Sequence, residues 1–138
     1  MDAMRSIPCW LLMCCITVGC GSSGPFDYVP VDGNVTYEDG SLLPGQFKLI
    51  FVAQDAAEVA GAVPRPAQAN VDDKGHFDCV TSHKYGDGLI PGKHKVVVQV
   101  ARRAGDKQVI ANDYTNSETT PLIIDTADAP LEIKVPKP

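Results

Sequence analysis

Apolar and polar residues alternate with a period of two over most of this chain, in short runs separated by turns. Val31, Gly33, Val35 and Tyr37 alternate with Asp32, Asn34 and Thr36. Phe47, Leu49 and Phe51 share one face of a second run, and Lys48, Ile50 and Val52 share the other, which predicts partial cover on both sides. Ala67, Ala69 and Val71 make an inward row of short side chains. From His76 to Thr81 the count places Phe77, Cys79 and Thr81 together, opposite His76, Asp78 and Val80. From Lys93 to Ala101 it places His94, Val96, Val98 and Val100 on one face, with Lys95, Val97 and Gln99 on the other. Leu131, Ile133 and Val135 alternate with Glu132 and Lys134. Successive side chains of a strand point to opposite faces, so each run reads as a half-buried strand. Leu122, Ile123 and Ile124 are continuously apolar and predict a strand buried on both sides, and Val109 with Ile110 predicts a brief strand or edge.

The punctuation agrees with this reading. Glu38-Asp39-Gly40-Ser41, Asp72-Asp73-Lys74-Gly75, Tyr85-Gly86-Asp87-Gly88 and Pro91-Gly92 are turn sequences: Asp bonds its own backbone, and Gly accepts positive φ. Gln54 to Pro66 is a long Ala- and Pro-containing connection, with one helical turn predicted over Asp55 to Val59, and Asn112 to Pro121 reads as loop. Seven short, regularly spaced strands predict an all-β sandwich, with a core of Phe47, Leu49, Phe51, Phe77, Val96, Val98, Ile133 and Val135.

The N-terminal stretch obeys a different pattern. Ile7 to Val18 is apolar apart from Thr17, shorter than the roughly 20 residues that span a bilayer and close to the apolar region of an export signal. Arg5 supplies the preceding positive charge, and Met4 offers an alternative start that omits Asp2. Four of the five cysteines, Cys9, Cys14, Cys15 and Cys20, lie in or at the end of this stretch, which leaves Cys79 alone in the domain and no intrachain disulfide to hold it. The run Thr17-Val18-Gly19-Cys20-Gly21 resembles a bacterial lipobox, with Thr17 where aliphatic residues are usual. The resemblance implies a diacylglyceryl group on the Cys20 thiol, cleavage between Gly19 and Cys20, and acylation of the new amino terminus. The expected organisation is a signal peptide over 1–19, the lipidated cysteine and a flexible tether over 20–27, and the sandwich over 28–138. Gly21 after the cysteine, by resemblance to sorting in some Gram-negative envelopes, permits outer-membrane placement.

Over Val31 to Val135 a further resemblance appears. Val31-x-Gly33-x-Val35, Asp39-Gly40-x-x-Leu43, Leu49-x-Phe51, Asp72-x-x-Gly75-x-Phe77, Asp87-Gly88-x-x-Pro91-Gly92-x-x-x-Val96 and Thr119-Thr120-Pro121-Leu122 occur in that order, with Tyr114 ahead of the last. The pattern resembles the carboxypeptidase-regulatory-like, or transthyretin-like, domains of bacterial envelope lipoproteins of the planctomycete type. It implies a seven-stranded Greek-key sandwich without catalysis. Ring-opening enzymes of that fold carry a Tyr-Arg-Gly-Ser tail where this chain reads Lys134-Val135-Pro136-Lys137-Pro138. Pilin-type lysine-to-asparagine cross-links need an Asn or Asp acceptor that Leu131 to Val135 does not supply.

A formal charge of -5 argues against nucleic acid as the main partner. His76 and Asp78, two apart on a strand, have the spacing of two zinc ligands, but His94 falls on the valine-bearing face of its own strand and His83 in a loop. Asp72, Asp73, Asp78 and Asp87 offer oxygens to calcium without the spacing of a calcium loop, and turn formation accounts for three of them. Ser82-His83 lacks the acid and oxyanion donors of acyl transfer. Lys93, Lys95, Arg102, Arg103 and Lys107 make one region basic, and Cys79 reads as a small core hydrophobe. The expectation is a membrane-anchored, non-catalytic domain of the cell envelope, with no metal or cofactor beyond the Cys20 lipid. Its partners would be membrane lipid and an envelope protein or glycan; the alternative is a calcium- or carbohydrate-binding accessory module.

Overall fold

The computed structural model describes residues 24–102 and 105–138. These residues form seven strands: β1 (Gly33–Tyr37), β2 (Phe47–Ala53), β3 (Ala67–Val71), β4 (His76–Phe77), β5 (Lys93–Val100), β6 (Ile123–Asp125) and β7 (Leu131–Val135). One sheet has the order β4-β1-β7 and the other β3-β2-β5-β6. Every pairing is antiparallel except β1 with β7, which run parallel from Gly33 opposite Leu131 to Tyr37 opposite Val135.

The two sheets face each other across one core, and the alternation dictates which residues fill it. Val35 and Tyr37 of β1, Phe77 of β4 and Leu131, Ile133 and Val135 of β7 meet Phe47, Leu49 and Phe51 of β2, Ala67, Ala69 and Val71 of β3, and Val96 and Val98 of β5. All eight residues expected in the core are buried. The Phe51 and Phe77 rings join the sheets at a centroid distance of 6.2 Å and a tilt of 55°. The small side chains of β3 lie opposite β2, with Ala69 paired to Leu49.

Four segments depart from the expected pattern, each for a local reason. β4 ends at Phe77, after which the chain crosses to the other sheet and Thr81 bridges Gln68 of β3. That crossing resets the parity, so Val80 is fully buried and Cys79 only half-buried, the reverse of the expected faces. β6 is an edge strand whose outer face is open, and Ile123 is 56% exposed instead of covered. Val109 and Ile110 form no strand; Ile110 enters the core from a bend, and Tyr37 Oη donates to the Val109 carbonyl at 2.7 Å. No helical turn forms over Asp55 to Val59, since one turn of helix gains too few hydrogen bonds to offset its nucleation; a tight hairpin follows instead. Ahead of the strands, Phe26 is buried as well.

Candidate functional site

The inner faces of both sheets are consumed by the core, so binding surface is left on the outer faces and the end loops. The outer face of the four-stranded sheet is set by register. Asn70, Lys48 and Gln99 are Cα partners across β3, β2 and β5 and form one polar row. Gln68, Ile50 and Val97 form the next row, and Val52, Lys95 and Ile123 the one after. The polar row lines a shallow depression of about 390 Å³ together with Gln46. Lys48 and Asn70 also line an adjoining hollow of about 370 Å³ with Gln68, Asp78 and Tyr85.

Tyr85 is 87% exposed on the edge of that hollow, as far from core packing as a tyrosine can stand. The neighbouring Cys79 thiol, and then the Asp78 carboxylate, push its phenol above the usual value. Four carboxamides, one ammonium and one carboxylate beside an open aromatic ring form a surface of balanced charge, rich in paired donors and acceptors. Such a surface matches ligands that carry vicinal hydroxyl groups. Sequence alternation marks Lys48 and Gln99 as outward and, opposite the inward row of β3, Gln68 and Asn70 as well, but gives no sign of Tyr85, which lies in a loop; outward carboxamides on both β3 and β5 are the available signal.

The loop end of the sandwich is organised by Asp87. Its Oδ1 accepts from the Ser82 N–H at 2.8 Å, and its Oδ2 from those of His83 at 2.9 Å and Lys84 at 2.8 Å. Partial burial pushes this carboxyl up, but the three backbone donors outweigh it and hold the group below the usual range. Gly88 lets the turn close: φ is +104°, and a Cβ there would lie 1.8 Å from the Val29 carbonyl oxygen. Ser82 Oγ donates to the Gly88 carbonyl at 2.6 Å, so the hydroxyl next to His83 is committed to the backbone. Asp72 works similarly in its turn, accepting from the N–H groups of Lys74 and His76 at 2.9 and 2.8 Å, and these bonds, that from His76 foremost, lower its pKa.

The residues weighed for metals do not assemble. His76 Nδ1 lies 3.1 Å from Asn34 Oδ1, while Asp78 has left the strand. His94 is buried, with Nε2 2.8 Å from the Ile90 carbonyl and Nδ1 without a partner. Among the described residues no group of three or more His, Cys, Asp and Glu is placed to hold an ion. The expected basic region is also divided. Lys93 and Lys95 lie beside β6, opposite Asp125 and Ile123, whereas Arg102 follows the far end of β5, about 23 Å along at strand spacing. Arg103, Gly19 and Cys20 lie outside the described residues.

A second feature stands at the same end as Asp87. A methyl group on Gly24 would sit 3.2 Å from Tyr28 Cε2 and 3.7 Å from His83 Cδ2, so the first of the described residues lies beside both rings. Burial, and then Asp87, raise the Tyr28 phenol. Beside this entry a two-residue hairpin loop is closed by reciprocal bonds, Val59 N–H to the Ala62 carbonyl at 3.0 Å and Ala62 N–H to the Val59 carbonyl at 2.9 Å. Its central residues, Ala60 at φ +50° and Gly61 at φ +79°, are both left-handed. Turns of this kind favour Asn, Asp or Gly at the first centre, and an L-residue with a methyl side chain costs about 1 kcal/mol there.

No family model matches this chain, and neither a curated protein nor a solved structure shows significant similarity to it.

Proposed function

We propose that this chain is a lipid-anchored, non-catalytic domain of the bacterial cell envelope, exported by residues 1–19, acylated at Cys20, and folded as a Greek-key, transthyretin-like sandwich. One observation carries the reading: Gly19-Cys20 closes an apolar export-length stretch, and Phe26, buried in the domain, follows only six residues later. That spacing is what an anchor placed directly before a folded unit requires. The covalent lipid supplies membrane affinity at about 0.8 kcal/mol per buried methylene, enough for stable attachment with two or more chains. The expected result is a native protein in the membrane fraction whose intact mass equals residues 20–138 plus acyl groups. Cys20→Ala is expected to leave the membrane fraction and lose the added mass. Equal membrane retention and unchanged mass in that variant would overturn the anchor.

The polar row Asn70, Lys48 and Gln99 with exposed Tyr85 favours one reading of what the anchored domain does, namely contact with envelope glycan through the outer sheet face. Carboxamides pair with adjacent hydroxyls in two-point fashion, and an open ring covers the apolar face of a sugar. The protein side of that contact carries only Lys48 and Asp78 as charged groups, so with a neutral glycan moderate salt is expected to leave it largely intact.

A further inference from the structure

We propose that the apolar hairpin Val59–Ala62, with Val63, enters the interfacial layer of the same bilayer that holds the Cys20 lipid, and so fixes which end of the domain faces the membrane. The inference rests on the anchor reading. From Val59 through Pro64 the side chains are Val, Ala, Gly, Ala, Val and Pro, with no polar group among them. Val59 is 44% and Val63 67% exposed, two of the five large apolar side chains most open to water among the described residues. The hairpin turns through left-handed backbone with Ala60 at the position where Asn or Asp serves better. An all-apolar tip is therefore held open to solvent against both hydration and turn chemistry.

Its place on the molecule gives it an occupant. Ala62, Val63 and Arg65 line a hollow of about 120 Å³ together with Pro25, Phe26 and Tyr28, so the hairpin adjoins the point where the chain enters the domain. Four residue steps separate Cys20 from Gly24, and a chain spans at most about 3.6 Å per residue, so Gly24 lies within about 14 Å of the acylated residue. The headgroup layer on each side of a bilayer is about 5 to 7 Å deep. A domain held this closely has its entry end against the lipid, and among the described residues lining that end Val63 of the hairpin is the large apolar side chain left exposed. Glu58 and Arg65 bracket the run with opposite charges. Insertion is thus driven by apolar area and is indifferent to anionic lipid.

The test uses the acylated protein in phosphatidylcholine vesicles. Cleavage before Cys20 removes Trp10, the chain's one tryptophan, so Val63→Trp provides a single emitter at the hairpin and Leu42→Trp, in a separate variant, one at the opposite end of β1. Lipids carrying a nitroxide at the headgroup or high on the acyl chain are expected to quench the hairpin emitter of V63W strongly, with a blue-shifted maximum. They are expected to leave L42W at its vesicle-free intensity. Quenching in V63W is expected to be unchanged by salt and by added anionic lipid. Protein that floats with vesicles while V63W behaves like L42W overturns the hairpin proposal and leaves the anchor standing. Protein that does not float at all overturns the anchor, and with it this proposal.

Discussion

Phe77 is the side chain on which the two sheets converge, since it belongs to the β4-β1-β7 sheet and its ring lies against Phe51 of the other. Truncating it removes that contact and opens a cavity that backbone pairing on both sides prevents from collapsing. Phe77→Ala is expected to cost about 3 to 5 kcal/mol, read as a drop in the denaturant midpoint with an unchanged slope; a loss under about 1 kcal/mol would mean that the ring is not central. Residues such as this are legible because alternation alone gives their face. Val80, Leu89 and Ile110 are not. Each enters the core from irregular backbone, where no period exists to count, and a lone apolar residue between turn residues looks the same whether it is buried or not.

The loop from Ser82 to Gly88 shows how an element without regular structure is still specified. One carboxylate satisfies three backbone donors that would otherwise point into a tight bend. In the unfolded chain Asp87 titrates near the ordinary value of about 3.9, above its folded value. As pH falls, the unfolded chain therefore binds its proton first, and the stabilisation present above about pH 4 is lost as pH passes down through the folded pKa. Asp72 contributes with the same sign. Asp87→Asn keeps one acceptor but turns an amide donor toward the remaining N–H groups. It is expected to cost about 1 kcal/mol at pH 7, after allowance for solvent screening, and to flatten the acid limb of stability measured by urea melts at pH 7 and pH 3. The turn is readable from Asp87-Gly88, but the crossing between sheets just before it is not. A switch of sheet changes the face of every later residue without leaving a mark in composition, which is why Cys79 and Val80 exchange roles.

For the molecule as a whole, a two-sheet β fold is legible because most of the strands carry unbroken alternation, while the binding surface is not, because it lies across strands distant in sequence. Asn70, Lys48 and Gln99 become a row only through register. If that row binds glycan, calorimetric titration of the domain with envelope oligosaccharides is expected to show saturable heat. The double variant Asn70→Ala and Tyr85→Ala should weaken it at least about tenfold, or about 1.4 kcal/mol, without lowering the melting temperature. Equal heats for variant and parent would exclude that face. The parallel pairing of β1 with β7 has a consequence of another kind. Gly33 in β1 finds its neighbour in Leu131 of β7, so the central strand of the smaller sheet has one edge unpaired until residues 131–135 have been delivered. Contacts this remote in sequence form slowly, because a long loop must close first. If the chain is exported as proposed, a polypeptide built this way would stay unfinished, and therefore threadable, for almost the whole of its passage through a translocation pore.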